Sequence, residues 1–289
     1  MEYQIIDKEF LELLRTLVLR YNVILKDGNL GGNRSKSKGS SVEFSDFREY
    51  IPGDDFRRID WKALARFEKV YIKLFMEERE APISIFVDKS KSMSFGGKKE
   101  AAVKLAATFA FSALKEYDSV SAIMFDEKIR ASERNQKGQP AFSKIIQLLE
   151  GNEFEGESNL YSVINEWQGR LKKGITVIIT DLMYDARLEE ILKLLSYKKQ
   201  KIIICQVLSK DELSPEFEGN LRLLDSENNE FMDIMTGTDA VNLYLKQLSD
   251  FINQNKELCT KYRADYMLMD SSKPVEQLLK ELHHKNQQY

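Results

Sequence analysis

Five short apolar runs, separated by helical segments, constrain the fold of this chain more than any other feature of its sequence. The runs are PISIFVD (82–88), SVSAIMF (119–125), GITVIITD (174–181), KIIICQVL (201–208) and ADYMLMD (264–270). Runs that are nearly continuous in apolar residues are typical of parallel strands buried on both faces. The intervening segments carry helical periodicity. We therefore predict an α/β fold with a doubly wound, mostly parallel sheet and helices on both faces.

The remaining residues divide the chain into two predicted parts. Residues 1–78 contain an amphipathic helix, a flexible loop rich in Gly, Ser, Asn and Lys (27–41), and a block rich in Arg and Asp. Residues 79–289 form the α/β domain, with a short edge strand at 128–133 and a hairpin insertion near 221–234 that turns at 227–229. A last helix is predicted over 274–285.

Charge and cysteine content argue against several classes of protein. Lys and Arg number 43 against 46 Asp and Glu, so the basic excess of a nucleic-acid binder is missing. Cys205 and Cys259 are too few for a disulfide framework and too far apart in sequence for a zinc cluster. Charges interrupt the N-terminal segment before an apolar stretch reaches the roughly 20 residues that span a bilayer. We expect a cytoplasmic protein with no membrane span and no nucleic-acid partner.

Two of the predicted strands end in an aspartate, Asp88 and Asp181. In open parallel sheets, ligands bind beyond the carboxyl ends of the strands, where the strand order reverses. Ser90 and Ser92 follow Asp88 at alternate positions, so an extended loop would point all three side chains the same way. Such an oxygen-only set suits a hard cation, Mg²⁺ above all. The structural alternative is that the two serines merely cap the next helix.

The pattern Asp88-x-Ser90-x-Ser92 at a strand end resembles the metal-ion-dependent adhesion site of von Willebrand factor A domains. That family adds a hydroxyl residue after a glycine in a later loop, and an aspartate that ends a further strand. Ser158 and Asp181 stand in these places. The resemblance implies a von Willebrand factor A-like fold and a bound Mg²⁺, with Mn²⁺ or Ca²⁺ as alternatives.

The resemblance also implies a role for each residue. Both serines of the motif would bind the metal directly, Ser158 directly or through water, and the two aspartates mainly through water. Ser158 stands where the family has threonine but keeps the hydroxyl group. Leu182 stands where glycine is frequent, a change that removes no ligand.

A second resemblance lies upstream, in the block FREYIPGDDFRRIDWKALAR (47–66). This block closely resembles the bacterial family called domain of unknown function fifty-eight, whose members pair it with a von Willebrand factor A-like domain. The two resemblances together cover roughly residues 40–287. They imply a partner, a MoxR-type AAA+ ATPase, because proteins of this family are typically associated with such ATPases.

Read without the family, the block from Arg48 to Arg66 favours a structural role. Its alternating acids and bases would form internal ion pairs, and its large apolar side chains would be packing residues. These are Tyr50, Phe56, Ile59 and Trp61. A docking surface is the alternative interpretation.

The sequence as a whole predicts a non-enzymatic protein-interaction module, in which a Glu or Asp of a partner completes the metal site. The main alternative is a magnesium-dependent phosphatase or phosphotransferase with Asp88 as nucleophile. Such enzymes need a second acid two residues later, where this chain has Ser90. A Ser-His-Asp hydrolase is disfavoured because the only histidines, His283 and His284, lie in the last helix and no GxSxG motif occurs.

Overall fold

The structure of the chain is a computed structural model that describes residues 5–20, 43–67, 69–76, 82–115, 119–184, 187–215, 221–224, 231–234, 238–275 and 277. Three predicted features lie outside these residues: the loop at 27–41, the hairpin turn at 227–229, and most of the last helix, including both histidines.

The helices and strands are numbered in chain order. The helices are α1 (Lys8–Arg20), α2 (Trp61–Phe67), α3 (Lys98–Lys115), α4 (Phe142–Glu150), α5 (Leu160–Trp167), α6 (Leu188–Tyr197), α7 (Lys210–Leu213) and α8 (Thr238–Lys261). The strands are β1 (Glu43–Glu49), β2 (Tyr71–Met76), β3 (Ile83–Asp88), β4 (Val120–Phe125), β5 (Ile129–Gln136), β6 (Ile175–Thr180), β7 (Lys201–Leu208), β8 (Leu221–Leu224), β9 (Phe231–Ile234) and β10 (Asp265–Asp270). They belong to two compact units: unit 1 is Met1–Lys26 with Ala81–Tyr289, and unit 2 is Asp27–Glu80.

Unit 1 contains a six-stranded sheet with the strand order β10-β7-β6-β3-β4-β5. Its neighbouring strands are parallel, except that β5 runs antiparallel to β4 at the edge. The predicted α/β class, the mostly parallel sheet and the edge strand are therefore confirmed. From β3 the chain goes first to β4 on one side and later to β6 on the other. The strand order thus reverses between β3 and β6, and their carboxyl ends lie side by side.

Helices cover both faces of this sheet. Phe86, Ile178 and Ile204 belong to one apolar cluster with side chains of α5, α6 and α8. Helix α3 contacts β3, β4, β6 and β7, and none of its residues belongs to that cluster, so it covers the opposite face. Most of its side chains from Ala101 to Leu114 are buried. Its many alanines let a helix surrounded on nearly all sides lie close to the strands.

Helix α1 packs on unit 1, which differs from the predicted division of the chain. The predicted amphipathic face is confirmed, because Phe10 and Leu14 are buried and Lys104 of α3 lies 5.5 Å from the centre of the Phe10 ring. The Ile6 N–H also donates to Glu150 Oε1 at 2.7 Å. The predicted division groups residues 1–78 together, whereas residues 1–26 belong to the same compact unit as residues 81–289. The physical reason is that the apolar stripe of α1 is buried on α3.

Unit 2 contains the antiparallel pair β1–β2 and the helix α2. A short 3-10 helix at Phe56–Arg58 begins after Asp55, whose side chain accepts a hydrogen bond from the Arg57 N–H at 3.0 Å. Arg48 and Asp54 form an ion pair at 2.8 Å, as the alternating charges of the block predicted.

The aromatic residues of unit 2 do not all pack inside it. Ile59 is buried, and Tyr50 stacks on Phe56 with ring centres 5.8 Å apart. Phe56 is nevertheless 67% exposed and Trp61 is 65% exposed, so the prediction that both are packing residues is wrong. A unit of this size has too little interior to bury every aromatic side chain of the block.

Three smaller predictions also have an outcome. Strands β8 and β9 pair antiparallel with Leu221 opposite Ile234, which confirms the hairpin. Cys205 and Cys259 are both buried and unpaired, as expected from their spacing. Within the part of the chain that the structure describes, no helix combines the length and the apolar character needed to cross a bilayer.

Candidate functional site

The Asp88-x-Ser90-x-Ser92 motif forms a tight turn at the carboxyl end of β3. The Asp88 side chain is fully buried, and its Oδ1 accepts the Ser90 N–H at 2.9 Å. The Ser90 and Ser92 hydroxyl oxygens lie 3.1 Å apart. The expected extended loop is wrong, because Lys91 has helical backbone angles and a 3-10 helix begins at Ser92. The turn still folds Ser92 back toward Ser90, so the two hydroxyl groups are adjacent at the end of β3.

The alternative role of the two serines as helix caps is not supported by this geometry. The residue that precedes the 3-10 helix is Lys91, and no side chain caps it. Helix α3 begins only at Lys98, six residues after Ser92. The hydroxyl groups of Ser90 and Ser92 lie 3.1 Å from each other beside the end of β3.

Ser158 lies in the loop between α4 and α5, which is hydrogen-bonded to the turn after β3. The Glu155 N–H donates to the Lys89 carbonyl at 2.8 Å, and the Lys91 N–H donates to the Gly156 carbonyl at 2.9 Å. Gly156 has a φ of +84°, a left-handed conformation that glycine adopts without strain. As a result the Ser158 hydroxyl donates to Asp88 Oδ2 at 2.7 Å, across 70 residues of sequence. The structure thus brings Ser158 and Asp88, two of the predicted site residues, into contact.

Asp181 follows β6 and is also fully buried. The Met183 N–H donates to its Oδ1 at 3.1 Å, and the Gln206 side chain donates to its carbonyl at 2.8 Å. The neighbouring Thr180 hydroxyl donates to Asp88 Oδ2 at 2.7 Å, which links the ends of β3 and β6. Sequence reasoning did not identify Thr180.

Lys98, the first residue of α3, reaches into the same site. Only 1% of its side chain is exposed. Its ammonium group lies 3.0 Å from Asp181 Oδ2 and 2.7 Å from Glu212 Oε1. Glu212 also forms a capping box with Ser209, at the start of α7. Both oxygens of Asp181 therefore already accept a hydrogen bond, one from Lys98 and one from the backbone.

The buried carboxylates influence one another. Burial, and then the negative charge of Asp181, raise the pKa of Asp88 to about 6. Hydrogen bonds from Ser158, Ser90 and Thr180 to the Asp88 carboxylate act in the opposite direction. Burial, and then the charge of Asp88, also raise the pKa of the Tyr184 hydroxyl. A positive charge placed among these groups would relieve the repulsion between the two aspartates.

Leu182 occupies a strained backbone position between the site and the core. Its φ is +57°, a left-handed conformation that is uncommon for a residue with a branched side chain. A glycine at this position would adopt the same conformation without strain. The side chain is buried in the apolar cluster beneath α5 and α6, which offsets the strain.

The donor set fits a hard cation in part. The hydroxyl oxygens of Ser90, Ser92 and Ser158 keep lone pairs that can bind a metal directly. Asp88 and Asp181 fit a contact through water better, because their oxygens already accept hydrogen bonds. Among the described residues, no group of three or more His, Cys, Asp and Glu side chains forms a conventional metal cluster.

Lys98 and Glu212 were missed, although the sequence contains a signal for each. Lys98 stands three and four residues before the buried Ala101 and Ala102, on the stripe of α3 that faces the interior. Glu212 stands three residues after Ser209, the spacing of a capping box. A lysine on a buried stripe, near two strand-end aspartates, indicates a buried ion pair.

The sequence of this chain is similar to a family of unknown function and to proteins named as uncharacterized. A family model described as protein of unknown function DUF58 matches residues 46–250. Uncharacterized proteins of Mycobacterium tuberculosis and Mycobacterium bovis are each 36% identical over 110 residues, which cover 36% of this chain and 34% of theirs. The match thus spans about a third of the length of these relatives.

Two solved structures are similar to this chain at low identity. One is the conserved hypothetical protein BatB from Bacteroides thetaiotaomicron, with a TM-score of 0.47 and 14% identity over 72% of this chain and 100% of that one. The other is an aerotolerance-related membrane protein from Bacteroides fragilis, with a TM-score of 0.45 and 15% identity over 71% and 99% of the two chains.

Proposed function

The chain belongs to the DUF58 family, and we propose that it is a protein-interaction module that receives an acidic side chain of a partner at the carboxyl edge of its six-stranded sheet. The observation that carries the proposal is the contact of Ser158 with Asp88 at 2.7 Å, beside Ser90 and Ser92. It gathers hydroxyl and carboxylate oxygens at the point where ligands bind in open parallel sheets. The strand order and this motif together support a von Willebrand factor A-like classification.

We propose that a divalent cation, Mg²⁺ above all and Mn²⁺ or Ca²⁺ as alternatives, binds at this site. Ser90, Ser92 and Ser158 would hold it through their hydroxyl oxygens, and Asp88 and Asp181 through water. When bound, the ion supplies a position that can accept a carboxylate from outside the chain. The turn after β3 and the loop that is hydrogen-bonded to it hold the hydroxyl groups of Ser90, Ser92 and Ser158 close together before any ligand binds.

The carboxylates at the end of the sheet favour a cation. Asp88 and Asp181 are fully buried, and Glu212 is 26% exposed. The charge of Asp181 raises the pKa of Asp88, so the two buried carboxylates repel each other. A cation beside Asp88 would offset that repulsion.

Apolar side chains beside the site favour a protein as the partner. Phe95, three residues after Ser92, is 50% exposed, and Met183, two residues after Asp181, is 42% exposed. Exposed aromatic and Met side chains around a polar centre are typical of protein-binding surfaces. We propose that they contact the partner on either side of its acidic residue.

The partner that we propose is a MoxR-type AAA+ ATPase, on the basis of the family resemblance of residues 47–66. A cytoplasmic location is part of the same proposal. It is supported by two buried thiols, Cys205 and Cys259, that are not joined in a disulfide.

Chelation and Asp88→Ala are each expected to abolish capture of the partner. The purified chain would be immobilised and offered the MoxR-type ATPase of the same cell in Mg²⁺ or in EDTA. Asp270→Ala is the matched control, because Asp270 also ends a strand of this sheet but accepts its hydrogen bonds from Ser272. Circular dichroism verifies that each variant is folded. Capture that survives both EDTA and Asp88→Ala would contradict the proposed mechanism.

We expect no hydrolysis of p-nitrophenyl phosphate in the presence of Mg²⁺. A nucleophilic Asp88 would have to reach substrate, whereas its side chain is fully buried and both its oxygens accept hydrogen bonds. Release of nitrophenolate is measured for the wild type and for Asp88→Asn. Magnesium-dependent turnover that disappears in Asp88→Asn would instead establish the phosphatase alternative.

A further inference from the structure

Lys98 is the least expected residue of the site, because a lysine is almost never fully buried without a compensating charge. Its ammonium group is bracketed by two carboxylates from different elements, Asp181 after β6 and Glu212 in α7. Buried ion pairs of this kind add little to stability compared with apolar packing. The ion pairs of Lys98 therefore indicate that this residue sets the charge of the site.

We infer that Lys98 is a positioning residue that holds the Asp181 carboxylate and thereby lowers the affinity of the site for a divalent cation. The inference rests on the proposed function, since it concerns the cation expected at the same site. Lys98 acts through Asp181, and no contact between Lys98 and the cation is required.

Both carboxylate oxygens of Asp181 already accept hydrogen bonds. Its Oδ2 accepts from Lys98 and its Oδ1 accepts from the Met183 N–H. A carboxylate held in this way can turn toward a cation for direct contact only by giving up one of these bonds, and a metal-bound water would have to share an oxygen with the ammonium group or the backbone. Removing the ammonium group would free one oxygen.

The positive charge of Lys98 also weakens the negative potential at the site. Asp181 is close enough to Asp88 for their negative charges to repel. An ammonium group that lies 3.0 Å from Asp181 therefore also cancels part of the negative potential at Asp88. That positive charge would repel a divalent cation beside Asp88, because buried surroundings screen charges only weakly.

Glu212 has the opposite effect on the site, because its negative charge offsets the charge of Lys98. Its Oε1 accepts from Lys98 at 2.7 Å, while its Oε2 accepts from the Ser209 N–H at 2.6 Å. Glu212 thus contributes a negative charge to the same network. Without that charge, the ammonium group would be left with Asp181 as its carboxylate partner and would repel a cation more strongly.

The experiment measures Mn²⁺ binding to the full chain by electron paramagnetic resonance at pH 7.5. We expect Lys98→Met to lower the Mn²⁺ dissociation constant at least tenfold. We expect Glu212→Gln, which keeps a hydrogen-bond acceptor at the capping box, to raise it several-fold. A residue with only a structural role would weaken binding in both variants. Thermal melts verify that each variant is folded.

Lys99→Met is the matched control, because it removes the same charge from the same turn of α3. The Lys99 ammonium lies 5.2 Å from the centre of the Phe154 ring, so it occupies a different environment. Its dissociation constant should stay within twofold of the wild type. Lys98→Arg keeps the charge and should bind Mn²⁺ no more tightly than the wild type, which gives a second test if Lys98→Met does not fold.

The outcomes separate this inference from the proposed function. Mn²⁺ binding to Lys98→Met but not to the wild type supports the inference and overturns the metal-dependent part of the proposed function. Equal binding to both overturns the inference and leaves the proposed function standing. No binding to either overturns both, and tighter binding by Glu212→Gln overturns the inference alone.

Discussion

Asp181→Ala is expected to lower the free energy of unfolding in EDTA by about 3 to 5 kcal/mol, the cost of breaking a buried ion pair by removing one partner. The reason is that the Lys98 ammonium stays buried after losing one of its two carboxylates. Urea unfolding followed by circular dichroism measures the change. The double variant Lys98→Met/Asp181→Ala should lose less free energy of unfolding than the two single variants lose together. The reason is that the double variant has no ammonium group left without Asp181.

Asp270→Ala is the control for this prediction. Asp270 also ends a strand of the sheet, but its nearest ammonium, that of Lys273, is more than half exposed and 3.7 Å away. Its replacement should cost about 1 kcal/mol or less, as is usual for exposed ion pairs. If Asp181→Ala were no more destabilising than Asp270→Ala, the buried network would not have the charge that the structure assigns to it.

The metal-free protein is expected to lose stability through Asp88 as the pH rises from about 4 to about 7. Burial and the charge of Asp181 raise the pKa of Asp88 from 3.8 to about 6, so the folded state binds this proton more tightly than the unfolded chain does. The stabilisation is fully present below the unfolded pKa and is lost as the pH rises through about 6. The two pKa values correspond to about 3 kcal/mol.

Asp88→Asn removes this titration and keeps most of the hydrogen-bonding geometry. The variant should therefore become more stable, relative to the wild type, as the pH is raised from 5 to 7.5 in EDTA. Thermal melts at several pH values measure the difference. Parallel stability profiles for the two proteins would show that Asp88 titrates normally.

The sheet and the positions of the five proposed site residues could be predicted because their signals are local in sequence. A buried parallel strand must be apolar along its whole length, and its last residue, such as Asp88, is then placed at the carboxyl edge by topology. Ser158 could be placed because a glycine stands two residues before it. Once the strands are assigned, little freedom remains for where these side chains go.

The surroundings of Lys98, the exposure of Phe56 and Trp61, and the turn at Lys91 depend on tertiary contacts, which short sequence motifs do not specify. The helical periodicity places Lys98 on the interior stripe of α3, but only the folded structure shows that Asp181 and Glu212 are the carboxylates that contact it. Phe56 and Trp61 look like core residues because aromatic side chains usually are, and only the small size of unit 2 leaves them exposed. The turn at Lys91 likewise follows from its hydrogen bond to the loop of Gly156, not from its own propensity.

The packing of α1 has a consequence for the synthesis of this chain. The hydrogen bond from Ile6 to Glu150 joins residues 144 apart, and α3, the main surface that covers α1, is also made long after it. At typical ribosomal speeds roughly 7 to 30 seconds separate the appearance of the two ends of that hydrogen bond. During this interval the apolar side of the nascent helix lacks its native cover and is exposed to chaperones.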